Sequence, residues 1–168
     1  MKALLPWDAA EEVAFECEPG TLNPGKLTAI KDIGVTRLSL GIENFNDDIL
    51  RENGRAHESP EVYRSWEWIK AAQFPNVNID LIAGMVGETW DNWRENIRRT
   101  IDLSPESITI YQMELPFNTV YSQDILGHKI ETPVAGDAIL QAAPSDEVRL
   151  TYLDEVHTKD GVKQTVAA

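Results

Sequence analysis

Short apolar runs alternate with longer stretches of helical spacing from residue 13 to about residue 115. Such alternation is the mark of repeated βα units, in which helices cover a buried parallel sheet. Four units can be counted in the sequence. Val13 to Cys17 reads as a strand, and the loop Glu18-Pro19-Gly20-Thr21-Leu22 leads to a helix capped by Asn23 with Pro24 at its first position. Leu27, Ile30 and Ile33 keep helical spacing there, and Gly34 closes the helix. Thr36 to Ile42 is the second strand, its apolar run interrupted by Arg37 and Ser39. Asn46 caps a short helix through Ile49 and Leu50, and Ser59-Pro60-Glu61 opens a longer one. In the longer helix Val62, Trp66, Ile69 and Ala72 form one buried stripe. Val77 to Ala83 is the third strand, apolar on both faces apart from Asn78 and Asp80, and Gly84 ends it. Thr89 caps the next helix, with Trp93, Ile97, Thr100 and Ile101 expected inside and Arg94, Arg98 and Arg99 outside. Ser107 to Met113 is the fourth strand. Beyond it Pro116, Asn118 and Gly127 break the pattern, and a helix is expected only around Val148 to Val156.

Polar residues recur at the carboxyl ends of these strands, where a parallel βα barrel places its reacting groups. Strand one ends in Glu16-Cys17-Glu18, strand two in Glu43-Asn44, strand three carries Asp80, and strand four leads through Gln112 to Glu114. An unpaired buried carboxylate is costly, so their recurrence at one end of several strands asks for a ligand or a partner. Arg55, in the loop Asn53-Gly54-Arg55-Ala56-His57, offers a planar fork to a carboxylate. Each of these residues taken singly is as well explained by a solvated loop charge. Together they describe an acidic mouth with an arginine, suited to a small ligand bearing an amine, hydroxyls and a carboxylate.

Composition narrows the function classes. An apolar share of 42% over 168 residues is enough for one buried core. The formal charge of -13 and the lack of a basic run argue against nucleic acid and anionic membranes as partners. No stretch reaches the apolar length of a membrane span, and Met1 to Trp7 does not have the form of a signal peptide, so a cytoplasmic location is expected. The single cysteine, Cys17, cannot alone make a zinc or iron–sulfur site, and no metal ligand set is expected within the chain.

The runs Glu16-Cys17-Glu18-Pro19-Gly20-Thr21-Leu22, Gly34 to Asn46, Asn53 to His57, Asn78 to Thr89 and Ser107 to Pro116 carry a resemblance. In order and spacing they resemble the oxygen-independent coproporphyrinogen III oxidase family of radical S-adenosylmethionine (SAM) proteins. The resemblance covers roughly residues 10 to 127. It implies an α/β fold, a partial TIM-like (β/α) barrel with parallel strands, incomplete at both ends. Residues 1–130 would form that partial barrel and residues 131–168 a divergent segment.

In the family three cysteines in a C-x3-C-x2-C loop bind a 4Fe-4S cluster. The cluster cleaves SAM reductively, and the resulting 5′-deoxyadenosyl radical attacks the substrate. Carried over residue by residue, Glu16 matches the carboxylate that receives the methionine amino group, Arg55 the partner of its carboxylate, and Asp80 the group facing the ribose hydroxyls. Glu43 stands where relatives often have glutamine, also near SAM. No catalytic residue is assigned. The cluster loop should precede residue 13, and the chain has no room for it, so a fragment that is inactive alone is expected. The implied partners are a tetrapyrrole, whose propionates an oxidase would decarboxylate, and an electron donor. A haem-transfer chaperone and a radical SAM methyltransferase share the motifs. For the chaperone, His57 or His128 is a candidate iron ligand, though each is more simply a loop histidine.

Overall fold

The computed structural model describes residues 7–113 together with the short segments 156–157 and 163–164. Four strands, β1 (Ala14–Cys17), β2 (Arg37–Glu43), β3 (Asn76–Ala83) and β4 (Ser107–Gln112), form one sheet in the order β1-β2-β3-β4, each parallel to its neighbour. Between them run α1 (Pro24–Asp32), the pair α2 (Asp47–Glu52) and α3 (Ser59–Ala72), and α4 (Trp90–Leu103). Two further strands, β5 (Val156–His157) and β6 (Lys163–Gln164), pair antiparallel. The helix expected around Val148 to Val156 lies outside the described residues except at Val156, which is extended. The divergent segment 131–168, like His128 and Glu114, otherwise lies outside them too.

The helices start where the caps direct. Asn23 accepts a hydrogen bond from the Lys26 amide at 2.9 Å, and Thr89 accepts one from the Asn92 amide at 3.2 Å. At α3 a capping box forms between Glu58 and Glu61, with Pro60 in the first turn, where its missing N–H is not needed. Buried positions on α3 are Val62, Ser65, Trp66 and Ile69. The Ser65 hydroxyl donates to Pro19 O at 2.7 Å and so pins the turn that follows β1.

On α4 the buried residues are Trp93, Asn96, Ile97 and Thr100, whereas Ile101, expected inside, is 39% exposed. The stripe formed by these four residues is centred near Trp93 and Thr100, about a quarter turn from Ile101, which lies at its rim. Ile33 at the end of α1 is likewise exposed, while Leu27 and Ile30 are buried.

Side chains alternate across a strand, so the register sorts the sheet into two unlike faces. Glu16 lies beside Ser39, Ser39 beside Asn78, Gly41 beside Asp80, and Asp80 beside Thr109. Arg37 and Ser39, which interrupt the apolar run of β2, therefore share a polar face with Glu16, Asn78 and Asp80. The opposite face carries Leu38, Leu40, Ile42, Val77, Ile79 and Leu81, packed against Leu27, Val62, Trp66, Ile69, Trp93 and Ile97. Each fully buried Leu or Ile contributes roughly 1.5–3 kcal/mol. That apolar layer holds the described helices to one face of the sheet. Among the described residues no helix is long and apolar enough to cross a membrane.

Candidate functional site

The polar face opens into a cavity of ≈ 720 Å³ beside β1, the edge strand of the described sheet. Glu16, Gly41, Asp80, Ile82 and Tyr111 line it from the sheet, Glu18 and Glu43 from the strand ends, and Lys26 and Ile30 from α1. Glu16, Glu43 and Asp80, all singled out from sequence, thus meet in one place. Arg55 does not line the cavity.

Glu16 and Asp80 are hydrogen-bonded to each other across β2, a contact that needs a proton on one of them. Burial, followed by the charge of Glu16, pushes Asp80 up to about 6 against the opposing hydrogen bonds from Asn78 and Thr109. Asn78 Nδ2 donates to Asp80 Oδ1 at 2.8 Å, and Asn78 Oδ1 in turn accepts from Ser107 Oγ at 2.8 Å and Thr109 Oγ1 at 3.1 Å. The Thr109 hydroxyl has one proton to share between Asn78 and Asp80. This chain of hydroxyl, amide and carboxyl fixes the orientation of Asp80 while leaving acceptor capacity toward the cavity. Tyr111, which sequence reasoning missed, has its phenol raised by burial and by Asp80 and Glu16.

Glu43 ends β2 at a register shift, with a left-handed φ of 66° that is unusual for a residue with a side chain. Arg55 Nε lies 2.6 Å from Glu43 Oε2. Charge pairing at that distance is firm, yet neither atom meets a partner at hydrogen-bonding angles. Burial raises the Glu43 carboxyl above its ordinary value despite the nearby Arg55 and His57, and Glu18 adds to the rise. Arg55, expected to offer its fork to a ligand, is held by this chain's own carboxylate. His57 is buried, with Nε2 3.0 Å from Ile42 O, and it braces the end of β2.

Cys17 is half-buried, and its thiol donates to Ser39 O at 3.1 Å. Burial, then Glu16 and Asp80, push it up to about 12, which makes it a poor thiolate. One such cysteine does not fit an iron–sulfur cluster, and the described residues contain no group of His, Cys, Asp and Glu arranged to hold a metal ion. The donor set does fit a ligand such as SAM: Glu16 and Asp80 for an ammonium and vicinal hydroxyls, and Arg55, once freed, for a carboxylate.

A second buried cluster was not anticipated. Glu88 Oε2 accepts from the Gly84 amide at 2.6 Å, and Oε1 from Asn44 Nδ2 at 2.9 Å and Asn96 Nδ2 at 3.3 Å. Asn96 Oδ1 accepts from the Phe45 amide at 3.0 Å, so the cluster ties the loops after β2 and β3 to α4. The signal was present in the sequence as Asn96, a polar residue inside the apolar stripe of α4.

The Radical SAM superfamily model matches residues 8–100. The heme chaperone HemW of Bacillus subtilis is 32% identical over 120 residues, which are 71% of this chain and 32% of that protein. The oxygen-independent coproporphyrinogen III oxidase of Synechocystis is 29% identical over 100 residues, 60% of this chain and 22% of the oxidase. Of solved structures, coproporphyrinogen III oxidase HemN from Escherichia coli, described as a Radical SAM enzyme, superposes with a TM-score of 0.65 at 24% identity, covering 77% of this chain and 30% of that one. Elp3 from Methanocaldococcus infernus gives 0.71 at 18% identity, covering 92% and 39%. The chain spans about a third of the length of the curated relatives it matches.

Proposed function

From the premise that the chain belongs to the radical SAM superfamily, in its HemN-like branch, and carries four parallel strands of a (β/α) barrel, we propose that it forms the SAM-binding part of a tetrapyrrole-handling protein. The observation that carries this reading is the meeting of Glu16 and Asp80 on one polar sheet face, beside Glu43 and its partner Arg55. In this reading Asp80 accepts from the ribose hydroxyls, Glu16 from the amino group, and Arg55 pairs with the carboxylate. A 4Fe-4S cluster, for which the described residues hold no ligand set, would supply the electron for reductive SAM cleavage. The residues described here bind and orient the nucleoside and amino-acid parts.

Two tetrapyrrole functions follow from the relatives. Haem transfer is supported by the heme chaperones at 32% identity, and oxidative decarboxylation of propionates, with an external electron donor, by the oxidase at 29%. The balance of similarity favours haem transfer.

The test is calorimetric titration of the chain with SAM. Wild type should bind it, and Asp80→Asn should weaken binding about tenfold through loss of one charge-assisted hydroxyl contact. Equal affinity in the two proteins would remove Asp80 from the site. Titration with haem, followed by its absorbance, tests the carrier reading separately. Stoichiometric binding supports it and absence of binding favours the oxidase.

A further inference from the structure

Within the cavity the charged lining groups are Glu16, Glu18, Glu43, Asp80 and Lys26. Lys26 Nζ is already engaged, donating to Thr21 O at 2.6 Å. A ligand ammonium or hydroxyl therefore meets acceptors directly, whereas a ligand carboxylate meets like charge. The cation suited to receive it is Arg55, and Glu43 stands between Arg55 and the cavity, 2.6 Å from Nε.

We propose that Glu43 is a specificity-determining residue, which occupies Arg55 as an internal carboxylate and has to release it before a ligand carboxylate can bind. The inference rests on the reading of this cavity as a SAM site. Three observations support exchange over a permanent structural pair. The contact is close but not aligned as a hydrogen bond, so its directional component is lost. The backbone at Glu43 is fixed in its left-handed turn by the Asn44 amide donating to Ile42 O at 2.8 Å, and Asn44 itself is held by Glu88. Release is then a side-chain rotation and leaves the strand end in place. Finally, Arg55 is 32% exposed at its side chain, so an incoming oxyanion can approach it.

A proton accompanies the exchange. Arg55 is the largest influence holding the Glu43 carboxyl down, while burial and Glu18 act the other way. When Arg55 turns to the ligand, Glu43 loses that support and binds a proton more readily, so binding of a carboxylate-bearing ligand strengthens as pH falls. His57 also faces Glu43, and Glu16, Glu18 and Asp80 share the cavity with it.

SAM and its decarboxylated analogue, which keeps the sulfonium, ammonium and nucleoside, isolate the carboxylate. Calorimetry with both ligands on the 168-residue chain and on Glu43→Gln reads the ratio of their affinities. In Glu43→Gln the ratio should shift toward SAM by about tenfold, the scale of one charged hydrogen bond made available. In wild type it should rise toward SAM as pH is lowered from about 7 to about 5, and in Glu43→Gln that rise should disappear. A rise of the same size retained in Glu43→Gln would take the proton away from Glu43 and overturn the inference. An unchanged ratio in Glu43→Gln, or a wild-type ratio flat with pH, overturns the inference while leaving the SAM site standing. If neither ligand binds either protein, the SAM reading falls and the inference with it. The wild-type pH series stands even if the variant folds poorly.

Discussion

Asp80, within β3, and Glu88, in the loop after it, are both buried carboxyls, and burial raises both, to about 6 and about 7. Their surroundings differ completely. Glu88 is saturated by amide donors from Gly84, Asn44 and Asn96. Asp80 faces a second carboxyl, Glu16, at an open cavity. A raised carboxyl is therefore no sign of function by itself. The informative difference is whether the neighbours satisfy the group or leave it short of a partner that a ligand could supply.

The comparison makes its largest demand on Glu88. Glu88→Ala strands the Gly84, Asn44 and Asn96 donors in the interior and should cost about 3 kcal/mol in urea unfolding. A loss well under 1 kcal/mol would mean that the cluster does not hold the loops.

Asp80→Asn should behave in the opposite way. It removes repulsion toward Glu16 and can donate to it, so stability near neutral pH should rise by about 1 kcal/mol even as ligand binding weakens. A destabilised variant would show Asp80 to be a structural acid like Glu88.

The pH dependence of unfolding sharpens the contrast. Both folded-state values lie above the ordinary ones, so the folded protein holds protons that the unfolded chain releases. Their favourable contribution is fully present below the ordinary values and is lost as pH rises toward the folded ones. Stability should fall between 3.8 and about 6 on account of Asp80, and between 4.5 and about 7 on account of Glu88. Asp80→Asn should flatten the lower part of that fall and leave the upper part.

The smallest effect is expected of Ser107→Ala. Asn78 Oδ1 keeps Thr109 as a donor, so the loss should be under about 1 kcal/mol, measured by the same unfolding.

Much of the fold was legible because its signals are local. Asn23, Asn46 and Thr89 act as caps, and each places the start of a helix within one residue of its observed position. The strands follow from apolar runs buried on one face. Ile101 was misjudged because periodicity gives the direction of a stripe but not its centre, which packing around Asn96 decides. For the same reason Arg37 and Ser39 looked like interruptions of β2, whereas the register assigns them to a separate polar face.

Of the site, the sequence by itself determined the residue types: carboxylates at strand ends, an arginine in the loop after α2, and a lone cysteine unsuited to a cluster. Alternation fixes faces only within a strand, so which residues of different strands share a face was set by the register. Tertiary structure alone decided their pairings. It set Glu16 against Asp80, gave Arg55 to Glu43, and enclosed Glu88 among asparagines from two other segments. Charge pairing acts over a few ångströms in space and is blind to sequence separation, so residues far apart in the chain acquire their chemistry only when the sheet brings them together.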